Sequence, residues 1–217
     1  MLLALLLAAA PLTCPPGMTA EAEACVVRPP KAKARVVYFH GMLPGTTDWS
    51  RVRELSLLAA EASRRGVELV ALRGEQGLCA WEKDVSQHWC WPSDRSQLRD
   101  VGRIVQRVQG KKLVLAGFSN GGYFVSMLAS ETKVDAGAYV VMHAGPVSGQ
   151  SFPLERARPT LLLGASKDTY QLPGMKRLAS LLTDEAKWPA VKLTVREGVH
   201  EVTAEDAKAL FDFVESL

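Results

Sequence analysis

Residues 111–130 read KKLVLAGFSNGGYFVSMLAS. The apolar run Leu113–Ala116 has the composition of a strand buried on both faces of a sheet. Gly117, Ser119, Gly121 and Gly122 follow it, and Tyr123–Ala129 is apolar enough for a buried helix. Strand, glycine-bracketed serine and helix form the pattern G-x-S-x-G, a weak signal alone that gains weight from this strand-to-helix setting. A turn that tight forces Ser119 into strained backbone angles. Gly117 and Gly121 must lack side chains for strand and helix to approach. The serine hydroxyl is then held above the sheet edge, and the N–H of Asn120, at a helix N-terminus, can face an anion.

Strands and helices alternate on both sides of this stretch. A strand Ala34–Phe39 ends in His40-Gly41-Met42, and a helix from about Ser50 to Arg65 stops at Gly66. The strand Val67–Leu72 leads into a long loop, Arg73–Pro92, that carries Trp81, Trp89 and Trp91. Ser93 is expected to cap a helix reaching Val108, with Gly110 as its end. After residue 130 come a strand Gly137–Met142, a loop His143–Pro159 and a strand Thr160–Leu163. A helix Pro173–Leu182, a strand Val191–Val195 and a final helix Thr203–Ser216 complete the chain. Such alternation predicts an α/β fold, a mostly parallel sheet of about six strands with helices on both faces. The loop 143–159 is too short for a helical lid, so no large cap domain is expected.

The 217 residues, 47% apolar and 23% charged, suit one domain with a sizeable core. A net charge of +3, with Lys and Arg scattered, gives no basic stripe for nucleic acid. The apolar run Leu2–Leu12, broken by Pro11, is too short to span a bilayer. Small residues at Ala20, Ala22 and Ala24 offer cleavage sites, so residues 1–24 are expected to be a signal peptide and flexible lead-in. Residues 25–217 would then be the single domain, opening on a proline-containing lead-in to about Lys33 with a short edge strand at Cys25–Arg28. No Lys or Arg precedes the apolar run, and a retained N-terminal helix is the alternative. Secretion or periplasmic export fits the cysteines: Cys79 and Cys90 bracket a short loop that a disulfide could close, or they stay two thiols. Removal of Cys14 would leave Cys25 odd and unpaired. No C-x-x-C occurs, which gives a zinc reading no support.

Ligands of open α/β sheets bind beyond the carboxyl ends of the strands. The reactive side chains placed there are His40, Ser119, His143, Asp168 and His200. A serine hydroxyl needs a base to take its proton, and the base needs a carboxylate to fix its tautomer. Ser119, Asp168 and His200 stand in the order Ser…Asp…His and follow different strands. His200 is preferred because it follows the last strand on a loop containing Gly198. His143, beside Ala144 and Gly145, reads as part of a packed floor, and His88 as a surface residue or a substrate contact. His40 reads as a brace for its loop. Negative charge building on a carbonyl oxygen would be met by the N–H groups of Met42 and Asn120.

On these residues the chain resembles the α/β-hydrolase superfamily across 34–217. His40-Gly41, Gly117-Phe-Ser-Asn-Gly-Gly122, Gly164…Asp168 and Gly198…His200 stand where that superfamily carries its oxyanion loop, nucleophile, acid and base. Within it, the chain is most similar to small cap-less carboxylesterases: the phospholipase/carboxylesterase (acyl-protein thioesterase-like) group, dienelactone hydrolases, and polyhydroxybutyrate depolymerase or feruloyl esterase relatives. Asn120, where the first group usually has Gln, leans toward the depolymerase-like set. The resemblance implies a serine hydrolase acting on a small-molecule ester, or a thioester, without metal or organic cofactor. Trp81, Trp89 and Trp91 would supply an aromatic wall for substrate, or else a small core beneath their loop. A non-catalytic scaffold of the same fold and a peptidase are the rival readings.

Overall fold

The computed structural model of the chain describes residues 12–79, 85–94, 112–131 and 136–217. Trp81 and all but the first residues of the helix expected over 93–108 lie outside them. The strands are β1 (Thr19–Glu21), β2 (Ala24–Val27), β3 (Ala34–Phe39), β4 (Glu68–Leu72), β5 (Glu75–Gln76), β6 (Trp89–Cys90), β7 (Lys112–Phe118), β8 (Ala138–Met142), β9 (Thr160–Ala165) and β10 (Val191–Arg196). The helices are α1 (Arg53–Arg65), α2 (Asn120–Glu131), α3 (Leu172–Ser180) and α4 (Ala204–Ser216). One eight-stranded sheet runs β1-β2-β4-β3-β7-β8-β9-β10, while β5 and β6 pair separately. Its strands from β4 to β10 are parallel, as the alternation predicts. β7, the strand of the opening stretch, lies inside the sheet between β3 and β8.

Period-two alternation sorts the strand side chains into two cores. Val36, Tyr38, Val114, Ala116, Val140 and Met142 face one side and pack with α1 and α4 through Leu55, Leu58, Leu210 and Phe211. Val37, Phe39, Leu113, Leu115 and Val141 face the other and pack with α2 and α3 through Phe124, Leu128, Met175 and Leu178. Burial on both faces explains why β3, β7 and β8 read as continuous apolar runs. Between β8 and β9 the chain adds only one helical turn, Leu154–Arg156, and no cap is built there.

The N-terminal region departs from expectation. β1 and β2 extend the sheet antiparallel beyond β4, so it has eight strands where about six were expected. The Cys25 side chain lies buried in β2 and is joined to Cys14 by a disulfide, which corrects the expectation of an unpaired Cys25. Leu12 packs into the core beside them. The folded unit thus reaches back past residue 25 to Leu12. The edge strand expected at Cys25–Arg28 forms as β2, one residue earlier, because β4 offers it an unpaired edge; the three residues of β1 carry too little pattern to be read alone.

Candidate active site

Ser119 sits between the last residue of β7 and the first of α2 with φ +51°. Its N–H bonds to the carbonyl of Met142 and its own carbonyl accepts from Tyr123, so the strained backbone is tied to β8 and to α2. A side chain on Gly121 would run into the carbonyls of Phe39 and His40, which is why only glycine fits at the crossing of α2 and β3. Asn120 begins α2, so its N–H has no intrahelical acceptor.

Asp168 follows β9 and is buried. Its N–H bonds to the carbonyl of Ala165 at 3.2 Å, and its Oδ1 accepts from the N–H of Gln171 at 3.2 Å. His200 follows β10 and is about one-third exposed at 36%. His200 Nδ1 lies 2.7 Å from Asp168 Oδ2, and His200 Nε2 lies 3.0 Å from Ser119 Oγ. Burial of Asp168 would raise its pKa, but hydrogen bonds from His200, His143 and the Gln171 N–H hold it below the ordinary carboxylate value. As a carboxylate it can only accept, so His200 donates from Nδ1 and presents the Nε2 lone pair to the serine hydroxyl.

The loop bearing His200 is shaped by Arg196, which the sequence reading passed over. Its guanidinium lies 2.9 Å from Asp206 Oδ2, both side chains being buried, and donates to the carbonyls of Glu197 at 3.1 Å and Glu201 at 2.7 Å. Gly198, with φ +140°, leaves room for that guanidinium. Asp206 also closes the capping box of α4 with Thr203. Backbone bonds from Lys167 N to Gly198 O and from Ser166 N to Arg196 O, each 2.8 Å, bring the Asp168 and His200 loops side by side. Arg followed ten residues later by Asp at a helix start is the signal, too generic to single out.

His143 is not merely floor. Its Nδ1 lies 2.9 Å from Asp168 Oδ2, the oxygen that His200 also contacts. Its side chain is fully buried, and burial lowers its pKa against the pull of Asp168. Its position just past β8 was the available signal. Donor atoms of His143, Asp168 and His200 lie within 4.8 Å of one another, close enough for an ion, but each imidazole Nδ1 is directed at a carboxylate oxygen in a hydrogen bond. His40 braces its loop as expected: its Nε2 accepts from Gly74 N at 2.9 Å, and burial pushes its pKa down to about 4.

Met42 is 40% exposed and, with Ser119, Asn120, Tyr123 and Tyr170, lines an open cavity of about 450 Å³. Trp91 is placed elsewhere. At 3% exposure it stacks on Phe124, meets Phe39 edge-on and donates its indole N–H to His40 O at 3.0 Å. The aromatic-wall expectation is therefore corrected for Trp91, because the loop folds its ring inward over the end of β3. Asn120 holds it there, accepting from Trp91 N at 2.7 Å and donating to Trp91 O at 3.3 Å. Trp89 lies in β6 under the Arg73 guanidinium and packs against the core on the α1 side. His88 is half-buried in the same loop and does not reach this cavity. Cys79 and Cys90 are joined, closing that loop.

No family model matches the sequence, and no curated protein does. Solved structures do resemble it. Esterase PE8 superposes with a TM-score of 0.65 at 15% identity over 89% of this chain and 98% of its own. Zea mays acyl-protein thioesterase 2 gives 0.63 at 16% identity, over 89% of this chain and 97% of its own. The Bacillus cereus carboxylesterase gives 0.61 at 14% identity, over 90% and 96%. The chain has the α/β-hydrolase fold.

Proposed function

We propose that the protein is a serine hydrolase of small-molecule carboxylic esters or thioesters. Ser119, His200 and Asp168 act as nucleophile, base and orienting acid. What supports this reading above all is the unbroken path of hydrogen bonds from Ser119 Oγ through His200 to Asp168. His200 takes the proton of Ser119 as its oxygen attacks the ester carbonyl. The N–H groups of Met42 and Asn120 receive the oxyanion, each such donor being worth about 3–4 kcal/mol. His200 returns the proton to the leaving alcohol or thiol, and water repeats the sequence to release the acyl group. Every step is served by side chains and backbone of the chain, with no metal or organic cofactor.

Two disulfides fit an oxidising compartment, secreted or periplasmic. No helix of the described residues is long and apolar enough to cross a membrane. Cleavage at Ala20, Ala22 or Ala24 would remove Cys14 and with it the Cys14–Cys25 bond, so a signal peptide that preserves the bond would be cut before Cys14, and mass spectrometry of the exported protein reads that site directly.

Hydrolysis of short p-nitrophenyl esters tests the reaction, alongside mapping of a fluorophosphonate label to Ser119. Ser119→Ala is expected to lower kcat by at least about a thousandfold and abolish labelling. Turnover by Ser119→Ala at the parent rate would falsify the proposal.

A further inference from the structure

Asp168 Oδ2 faces two imidazoles, and the reaction proposed above uses only one. His200 Nδ1 stands 2.7 Å from that oxygen and His143 Nδ1 stands 2.9 Å from it, while Gln171 N occupies Oδ1. The two rings meet edge to face, 5.4 Å between centroids, and Phe118 lies against both. His143 has almost no freedom. Its backbone is left-handed at φ +49°, its N–H is tied to Leu163 O at 2.9 Å, and its side chain is wholly buried. A histidine held in left-handed backbone is uncommon, and strain of this kind persists where the surroundings fix it.

We propose that His143 is a positioning residue for the hydrolytic reaction, fixing the Asp168 oxygen against which His200 is aimed. The kinetic part of this inference rests on the proposed function; the geometric part does not. A carboxylate held on Oδ1 alone can swing its other oxygen about the side-chain bonds, and His200 would follow it away from Ser119. A buried imidazole donating one N–H removes that freedom. It does so without adding charge, since burial disfavours the protonated ring; the titratable groups around it are Asp168, His200 and, farther off, Asp206. Neutrality matters because a second cation beside Asp168 would compete with the imidazolium that forms on His200. His143 Nε2 is buried with no partner among the described residues, so its bond to Asp168 is the only one this side chain makes there.

The test compares His143→Leu, which removes the donor, with His143→Asn. Asparagine tolerates left-handed backbone and places an amide N–H where Nδ1 stood. Two quantities are read: kcat and KM for a p-nitrophenyl ester, and the imidazole N–H proton resonances, of which a chain with four histidines has few. His143→Leu is expected to lower kcat about tenfold or more with KM within about twofold, and to move the His200 Nδ1 proton resonance. His143→Asn is expected to recover most of both. An unchanged kcat and resonance in His143→Leu, or an Asn variant no better than the Leu variant, overturns the proposal. Failure of both variants to fold would mark His143 as a folding residue and overturn it equally. Should the parent turn over no ester through Ser119, the resonance still decides: moved by Leu and restored by Asn, the positioning role stands; unmoved, it falls.

Discussion

The loop after β3 and the loop after β10 both close on Ser119, and opposite forces hold them. His40-Gly41-Met42 is fastened mainly by neutral groups: an uncharged buried His40, the Trp91 indole on His40 O, and a Cys79–Cys90 bridge next to Trp91, with the Glu54 carboxyl on the Gly41 backbone as the one titrating partner among the described residues. Gly198–His200 is fastened by charge, through the buried Arg196–Asp206 pair and the Asp168 carboxylate. The difference follows the work proposed for each. A loop that offers a backbone N–H to a transient oxyanion needs fixed dipoles and no competing counter-ion. A loop carrying the base must tolerate a full positive charge on each turnover, which the Asp168 carboxylate offsets, while Arg196, neutralised by Asp206, shapes the loop without adding net charge.

That contrast breaks most visibly at Arg196. Arg196→Met leaves the buried Asp206 with its Thr203 hydrogen bonds but without its counter-charge, and releases the Glu197 and Glu201 carbonyls. A loss of about 3–5 kcal/mol in urea unfolding is expected, and of ester turnover with it. On the neutral side the corresponding break is Cys79→Ser with Cys90→Ser. The two cysteines are 11 residues apart, so the chain-entropy model gives a loss of about 3 kcal/mol. A lower kcat should accompany it, because the loop no longer presses Trp91 onto His40 and Asn120. Cys14→Ser with Cys25→Ser removes a bridge of equal spacing far from Ser119, at the antiparallel edge of the sheet. It should cost similar stability and leave kcat unchanged, so a fall in kcat there would blur the comparison.

The smallest expected effect concerns pH. Burial raises the Glu54 pKa to about 7, opposed by hydrogen bonds from Tyr38 and from the Gly41 backbone at the start of the neutral loop. A folded-state pKa above the unfolded one means that stability is fully present below the unfolded value of about 4.5 and lost as pH rises through 7. The melting temperature of Glu54→Gln should therefore fall less between about pH 5 and pH 8 than that of the parent. Equal slopes would remove Glu54 from the account.

Local chemistry made much of this legible in the chain. Continuous apolar runs marked the parallel strands, Gly66 and Thr203 marked helix ends, and the glycines around Ser119 marked a turn that admits little else. Strand ends told where Ser119, His143, Asp168 and His200 would gather. Trp91 stayed open between substrate wall and small core, because a tryptophan beside a cysteine in a long loop looks the same whether its ring turns toward substrate or inward; the hydrogen bonds of Asn120 and His40 decide for the core. His143 was visible by its place past a strand end but read as packed floor, and Arg196 was visible only as a residue type.

By itself, then, the sequence determined the alternation of strands and helices, the serine turn and the set of side chains delivered to one rim of the sheet, all consequences of periodicity and backbone sterics over short spans. Only the tertiary structure decided that Cys14 joins Cys25, that two histidines share one oxygen of Asp168, and that a buried arginine shapes the His200 loop. Those are pairings between groups distant in the chain or set on different strands, and such pairings depend on strand order and register, which no local pattern encodes.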